Sequence, residues 1–347
     1  MMRRFEATMR NILRATAFFM LFALLFVTAS RAFTPDLNTA EDGMESRISK
    51  AYRGEEKNSL DVIFIGNSDI YRGISPVDLY HATGITSAVA GRPKKSLEEI
   101  PGDIRDILKY QKPKILVLET DCMFSSANPQ FTKSAGIRRS LLKKIKSVVE
   151  EGDSAIVTAI NFYFPLIKYH NNWRNINLSS LFHHPRRYYK FSNKGMAYSD
   201  QVKPFDPKID YMNSGSGKTA ALSDTEKEIF DRICTLCREN QVRLVLLTVP
   251  SANTWNNAKS HAVQMLAEQY GLSYYDYNVT YPEAFDWKTD TKDGGNHLNY
   301  RGALKLTKDF GCKLQKDLEL KATKLSDDQI EQWEKDYRYF HDKIAGK

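Results

Sequence analysis

An α/β protein, its parallel sheet covered on both faces by helices, is the fold class that this sequence predicts. Three observations predict it. Strand-length apolar runs at 60–66, 85–90, 114–119, 242–249 and 273–277 are spaced by helical patterns at 76–83, 96–110, 223–240, 255–270 and 302–318. The runs are continuously apolar instead of alternating, which is the pattern of strands buried on both faces. At 347 residues the chain is long enough to bury a core of that size.

Taken in order, the first segment concerns the membrane. Arg3, Arg4, Arg10 and Arg14 precede an apolar run over 15–30 that Arg31 ends. As a helix this run reaches about 24 Å, short of the roughly 30 Å hydrocarbon core, and the preceding Asn11-Ile12-Leu13 turn can lengthen it. Segment 1–32 is therefore expected to be a single-pass anchor whose arginine-rich end stays in the cytoplasm. A cleaved signal peptide, with Val27-Thr28-Ala29 at the cleavage site, is the alternative. Both place the remainder outside the cytoplasmic membrane.

Residues 33–58 are polar and read as a spacer, and 59–320 as the main domain. Within it, 136–150 has a basic helical pattern, while 154–164 fits helix and strand equally. An insertion at 165–218 follows, loop-rich over 177–218 and carrying His183, His184, Arg187, Tyr188 and Tyr189. Insertions of this size in an α/β core usually cap or border a site. Residues 321–347 read as an amphipathic helix. Ser326 is its N-cap, Asp327 and Asp328 lie in its first turn, and Ile330, Trp333, Tyr337, Phe340 and Ile344 form one stripe. The stripe is expected to pack on the domain, with a docking helix as the alternative.

Composition excludes some functions. The net charge is +8, but lysine and arginine are spread along the chain without interleaved stacking aromatics, so no nucleic-acid partner is expected. Cys234 and Cys237 form a C-x-x-C inside a helical pattern, which reads as buried packing and not as a zinc site. His170, His183 and His184 have no carboxylate or cysteine at ligand spacing, so no metal or other cofactor is expected. The stretch 215–219, Gly-Ser-Gly-Lys-Thr, lacks the leading glycine of a P-loop, since position 212 is Met.

Two segments carry chemistry. Residues 61–69, Asp-Val-Ile-Phe-Ile-Gly-Asn-Ser-Asp, read as a buried strand ending in a tight turn with Ser68 just beyond it. In open parallel sheets, ligands sit at that carboxyl end. Residues 293–299, Asp-Gly-Gly-Asn-His-Leu-Asn, place His297 before the last core helix with Asp293 four residues upstream. A serine needs a base to become a nucleophile, and histidine is the side chain best matched to that near neutral pH. Asp293 would fix the imidazole tautomer, with Asp290 as the fallback acid.

Together these segments resemble the SGNH (GDSL-type) hydrolase family over roughly 58–320. Gly66-Asn67-Ser68 stands where that family has Gly-Asp-Ser, and 293–297 where it has its late acid-and-histidine block. Residues 297–307 look like its extracellular, membrane-anchored branch, which includes DltD-like and alginate-acetylation-like proteins. There are two departures: an Asp-x-x-x-His spacing in place of Asp-x-x-His, and Glu119-Thr120-Asp121 in place of Gly-x-Asn-Asp. The resemblance implies a flavodoxin-like sheet with Ser68 as nucleophile, His297 as base and Asp293 as its orienter. The amide of Ser68 or Asp69 and that of Gly91 would be oxyanion donors, with Thr120 or Asp121 nearest the third donor position. Asn67, Asp69, His170, Trp173 and Asn296 would line the substrate cleft. It further implies O-acetyl or D-alanyl esters of surface glycopolymers as substrates, by hydrolysis or transfer, and a multi-spanning membrane acyltransferase as partner. The alternative is an accessory or binding protein of such an envelope acylation system.

Overall fold

The computed structural model describes residues 2–33, 50–125, 192–214 and 220–345. The chain divides into two compact units, Met1–Leu37 with Arg138–Arg187, and Asn38–Ile137 with Tyr188–Lys347. In the first unit the described part is one helix, α1 (Met2–Phe33). Its stretch Thr8–Ser30 has a mean hydropathy of 2.1 and no buried residue. At about 1.5 Å per residue that stretch spans roughly 35 Å, enough to cross a hydrocarbon core. The helix thus starts well before the apolar run and removes the shortfall in length.

The second unit holds a five-stranded parallel sheet, β1 (Val62–Gly66), β2 (Ser87–Gly91), β3 (Ile115–Glu119), β4 (Arg243–Thr248) and β5 (Ser273–Asp276). The spatial order is β2-β1-β3-β4-β5, and every neighbouring pair is parallel. This is the doubly wound order in which the connections reverse between β1 and β3. The helices of this unit are α2 (Ser68–Gly73), α3 (Pro76–Thr83), α4 (Ile100–Tyr110), α5 (Asp224–Glu239), α6 (Asn257–Tyr270), α7 (Tyr300–Lys316) and α8 (Asp327–Tyr339).

Successive strand residues point to opposite faces, and both faces are covered. Ile63, Ile65, Leu116, Leu118, Leu244 and Leu246 pack with Ile104 and Ile107 of α4, Phe230 and Ile233 of α5, and Val263 of α6. Val62, Phe64, Ile115, Val117, Val245 and Leu247 pack with Leu306, Phe310 and Leu314 of α7. Each such side chain stabilises the fold by about 1.5–3 kcal/mol on burial. The outer strand β5 is only half-buried, as an edge strand should be.

The C-terminal helix α8 has the expected cap, with Ser326 and Gln329 forming a reciprocal capping box. Trp333 is 4% exposed and lies 4.8 Å from the Tyr80 ring, while Lys194 sits 4.5 Å over its indole. Lys194 also bonds Glu55 at 3.0 Å and pairs with Asp336. Phe340 is fully buried, Tyr337 stacks on His81 at 4.1 Å, and Ile330 stays exposed. Cys122, Cys234 and Cys237 are buried free thiols, and burial pushes Cys234 and Cys237 up to about 12, which suits packing better than chemistry.

Candidate active site

The site is built where β1 ends. Gly66 is followed by Asn67, the N-cap of α2, whose side-chain oxygen accepts the Asp69 N–H at 2.8 Å. This cap turns the chain sharply and leaves Ser68 as the first helical residue, so its N–H has no acceptor within α2. Gly66 has a steric cause. A Cβ there would stand 2.5 Å from Cβ of Glu119 on β3.

The second half comes from the loop before α7. Thr291 bridges Leu298, and the Lys292 N–H bonds the His297 carbonyl at 3.0 Å, closing a tight loop over 293–297. Gly294 and Gly295 have φ of +78° and +95°, which β-carbon-bearing residues rarely adopt. These two glycines absorb the extra residue of the Asp-x-x-x-His spacing. The loop is held against the end of β4, where the Ala252 N–H bonds the Gly295 carbonyl at 2.6 Å and the Ser251 hydroxyl the Asn296 carbonyl at 2.9 Å.

These two elements bring Ser68, His297 and Asp293 into one chain of contacts. His297 Nε2 is 2.8 Å from Ser68 Oγ, and His297 Nδ1 is 2.5 Å from Asp293 Oδ2. The other Asp293 oxygen accepts the His297 backbone N–H at 2.8 Å, so one carboxylate fixes both the ring and the loop. Burial lowers the pKa of His297 below the ordinary histidine value, against the opposing pull of Asp293, with Arg72 and Lys292 adding to the lowering. Burial raises the Asp293 carboxyl, but the two His297 hydrogen bonds outweigh it and the acid sits below its usual range. The imidazole is therefore neutral and the carboxylate ionised near neutral pH, the state a general base needs.

Other expected site residues are placed differently. Asp290 is fully buried, bonded to Lys305 Nζ at 2.6 Å and to the Asp286 N–H at 2.8 Å, and it serves the loop and not the imidazole. Thr120 gives its N–H to the Leu247 carbonyl at 3.0 Å, and its hydroxyl lies 2.5 Å from that of Thr248. The Asp121 N–H bonds Glu119 Oε1 at 2.6 Å, and its carboxylate bonds Lys259 Nζ at 2.9 Å and Asn67 Nδ2 at 3.0 Å. Neither backbone amide is left for an oxyanion. The Asp69 amide is likewise taken up by the Asn67 cap. Both ends of the Asn67 carboxamide are engaged, so Asn67 shapes the turn instead of lining a cleft. Asn296 lays its carboxamide 2.9 Å from His297 Nδ1, on the ring. Gly91 closes β2 opposite Gly66, and a Cβ there would lie 2.8 Å from Tyr71 Cβ, so close packing of α2 explains this glycine. His170, Trp173, Arg187, Tyr188, Tyr189 and the stretch 215–219 lie outside the described residues.

The sequence reading placed Glu119 in the Glu119-Thr120-Asp121 block but gave it no role. Burial, then the charge of Asp121, raises its carboxyl to about 8, and among the described residues its Oε2 is buried without a partner. The available signal was a lone acid closing an otherwise apolar strand. The Asp121–Lys259 pair gave no signal, because its members meet only through the fold. Among the described residues no cluster of three or more histidine, cysteine or acidic side chains could hold a metal.

No protein-family model matches the chain, and no curated protein matches it. Solved structures do. One is a provisionally named acylhydrolase from Bacteroides fragilis NCTC 9343, with a TM-score of 0.36 at 10% identity, covering 81% of this chain and 100% of that one. Another is a GDSL-like lipase from Bacteroides thetaiotaomicron VPI-5482, with a TM-score of 0.38 at 10% identity, covering 79% of this chain and 98% of that one.

Proposed function

We propose that this chain is a serine acyl-esterase or acyltransferase of SGNH type. The observation that carries the reading is the unbroken contact from Ser68 Oγ through His297 to Asp293, at 2.8 and 2.5 Å. Its position at the carboxyl end of a parallel sheet adds support. In this mechanism Ser68 Oγ attacks an acyl carbonyl while His297 Nε2 takes its proton. Asp293 holds the Nδ1–H tautomer and stabilises the imidazolium. The intermediate collapses as His297 passes the proton to the leaving alkoxide, leaving an acyl-Ser68 ester. An incoming hydroxyl, from water or an acceptor, then attacks the acyl carbonyl as His297 takes its proton, and the second intermediate collapses by breaking the bond to Ser68 Oγ, which regains its proton from His297.

Substrate and place are the finer parts of the proposal. The helix α1 suits a single-pass anchor with the acyl chemistry outside the cytoplasmic membrane. The resemblance at 297–307 favours O-acetyl or D-alanyl esters of surface glycopolymers, passed on by a multi-spanning membrane acyltransferase. The test is labelling by a fluorophosphonate probe. Ser68 should be the labelled residue, and Ser68→Ala and His297→Ala should abolish both labelling and turnover of short acyl esters in folded protein. A wild-type chain that is neither labelled nor active would overturn the reading in favour of an accessory protein. Partitioning of the acyl-enzyme between water and added glycan acceptors then separates transfer from hydrolysis. If acceptors never compete with water, the chain is an esterase.

A further inference from the structure

An oxyanion at Ser68 needs several donors in a water-poor site, since one such donor typically contributes 10²–10³-fold in rate. Among the described residues the nominated amides of Asp69, Thr120 and Asp121 are already bonded elsewhere. Among the described residues, the Asp69 side chain lies beside the reacting atoms. Asp69 follows the nucleophile in sequence, is 3% exposed, and has its Oδ1 3.9 Å from His297 Nε2, the nitrogen that holds Ser68 Oγ. No group among the described residues hydrogen-bonds its carboxyl. A carboxyl held beside the base with no hydrogen-bond partner of its own has, when protonated, one O–H free to donate to a charge that forms there.

We propose that the Asp69 carboxyl donates a hydrogen bond to the oxyanion that forms when an acyl ester is attacked by Ser68. This rests on the esterase reading above. Only the protonated acid can donate, because an ionised carboxylate in that place would repel the developing charge. The surroundings select the protonated form. Burial first, then the charges of Glu119, Asp121 and Asp293, push Asp69 well above the usual carboxylate range. The groups that face it come from every neighbouring element. Glu119 ends β3 and Asp121 follows it, Lys259 projects from α6, and Asp293 and His297 come from the loop before α7. Arg72, further along α2, acts on His297. Lys259 is the cation that opposes the shift, and it is already paired with Asp121 at 2.9 Å. Asp69 shares its proton with the oxyanion and keeps it. The serine proton travels separately, to His297 Nε2 and then to the leaving group. The arrangement follows the general case of a carboxylic acid kept neutral in an apolar site so that it can donate.

The experiment compares Asp69→Asn, which keeps a neutral donor, with Asp69→Ala, which has none. In folded protein Asp69→Ala is expected to lose about 10²–10³-fold in kcat/KM and in the rate of fluorophosphonate labelling. Asp69→Asn is expected to keep most of both. The wild type should also lose activity at alkaline pH as Asp69 ionises, and Asp69→Asn should lack that decline. Asp69→Ala within a few-fold of wild type, or Asp69→Asn as slow as Asp69→Ala with the alkaline decline intact, would overturn the proposal. An infrared difference spectrum of wild type against Asp69→Asn at neutral pH gives a readout independent of turnover. A protonated-acid carbonyl band is expected, and a carboxylate band in its place would refute the donor role. Absence of any labelling of wild type at Ser68 would instead sink the esterase reading, with the infrared result still deciding the state of Asp69.

Discussion

Replacing Asp293 tests the relay at its outermost link. The carboxylate accepts from His297 Nδ1 at 2.5 Å and stabilises the imidazolium that forms in the transition state. With charge centres about 4 Å apart, the attraction lies between about 1 kcal/mol in water and about 4 kcal/mol at an effective dielectric near 20. Side-chain exposures of 30% for Asp293 and 17% for His297 place the pair between those limits. A loss of roughly 2–3 kcal/mol follows, or about 30- to 150-fold in kcat/KM. Asp293→Ala should show this loss. Asp293→Asn should lose more, because its amide can donate to Nδ1 and stabilise the tautomer whose Nε2 carries a proton and cannot accept from Ser68. The assay is steady-state turnover of a chromogenic short acyl ester, with circular dichroism to check the fold. If Asp293→Ala stays within about threefold of wild type, Asp293 is not coupled to the base and the relay ends at His297.

Four further outcomes follow from the geometry. Gly66→Ala forces a Cβ to 2.5 Å from Glu119 and is expected to cost about 1–3 kcal/mol in denaturant unfolding; an unchanged midpoint would contradict the packing. Trp333→Ala removes a buried indole from under Tyr80 and Lys194 and should destabilise by about 3–5 kcal/mol, whereas a near-neutral result would mean that α8 is not docked. On the acid side, kcat/KM requires neutral His297, so activity is lost as pH falls through its pKa. Burial has lowered that pKa, so the midpoint should fall below the ordinary histidine value of about 6.5, and a midpoint above 7 would be inconsistent with the site. Finally, a chain starting at residue 34 should move from the membrane fraction to the soluble fraction, and co-sedimentation of both forms with membranes would place the attachment elsewhere.

How much could be read from the sequence depended on whether the signal was local. The strands β1, β3 and β4 were legible because burial on both faces demands unbroken apolar runs, and their Val, Ile and Leu residues supply them. The helix α2 was not legible, since its six residues are too few to show a period, and its start is marked only by Asn67. The pairing of Ser68 with His297 was recoverable from two short motifs, and the odd acid spacing from the two glycines that absorb it. The fate of the third donor position was not recoverable. Whether Thr120 and Asp121 are free depends on Leu247, Thr248 and Lys259, residues far along the chain that only the sheet and α6 bring alongside.

The density of acids around Ser68 calls for a physical account. Asp69, Glu119, Asp121 and Asp293 lie around the Ser68 turn, where the proposed reaction generates negative charge that uncompensated carboxylates would oppose. The fold disposes of three of them in different ways. Asp293 faces His297, which becomes cationic as the oxyanion forms, so its charge works with the reaction. Asp121 is matched by Lys259 and tied to Asn67, so its charge also anchors the turn that presents Ser68. Glu119 is sealed beneath the turn, where burial and Asp121 keep it protonated up to about pH 8. Asp121 and Glu119 thus shape the serine turn while leaving little net charge under it. Asp69 is the acid whose proton decides the sign of the field at the acyl carbon. On the proposed mechanism the site favours catalysis with Asp69 neutral and opposes it with Asp69 ionised, so its upper pH limit is set by the carboxyl next to Ser68 and its lower limit by His297.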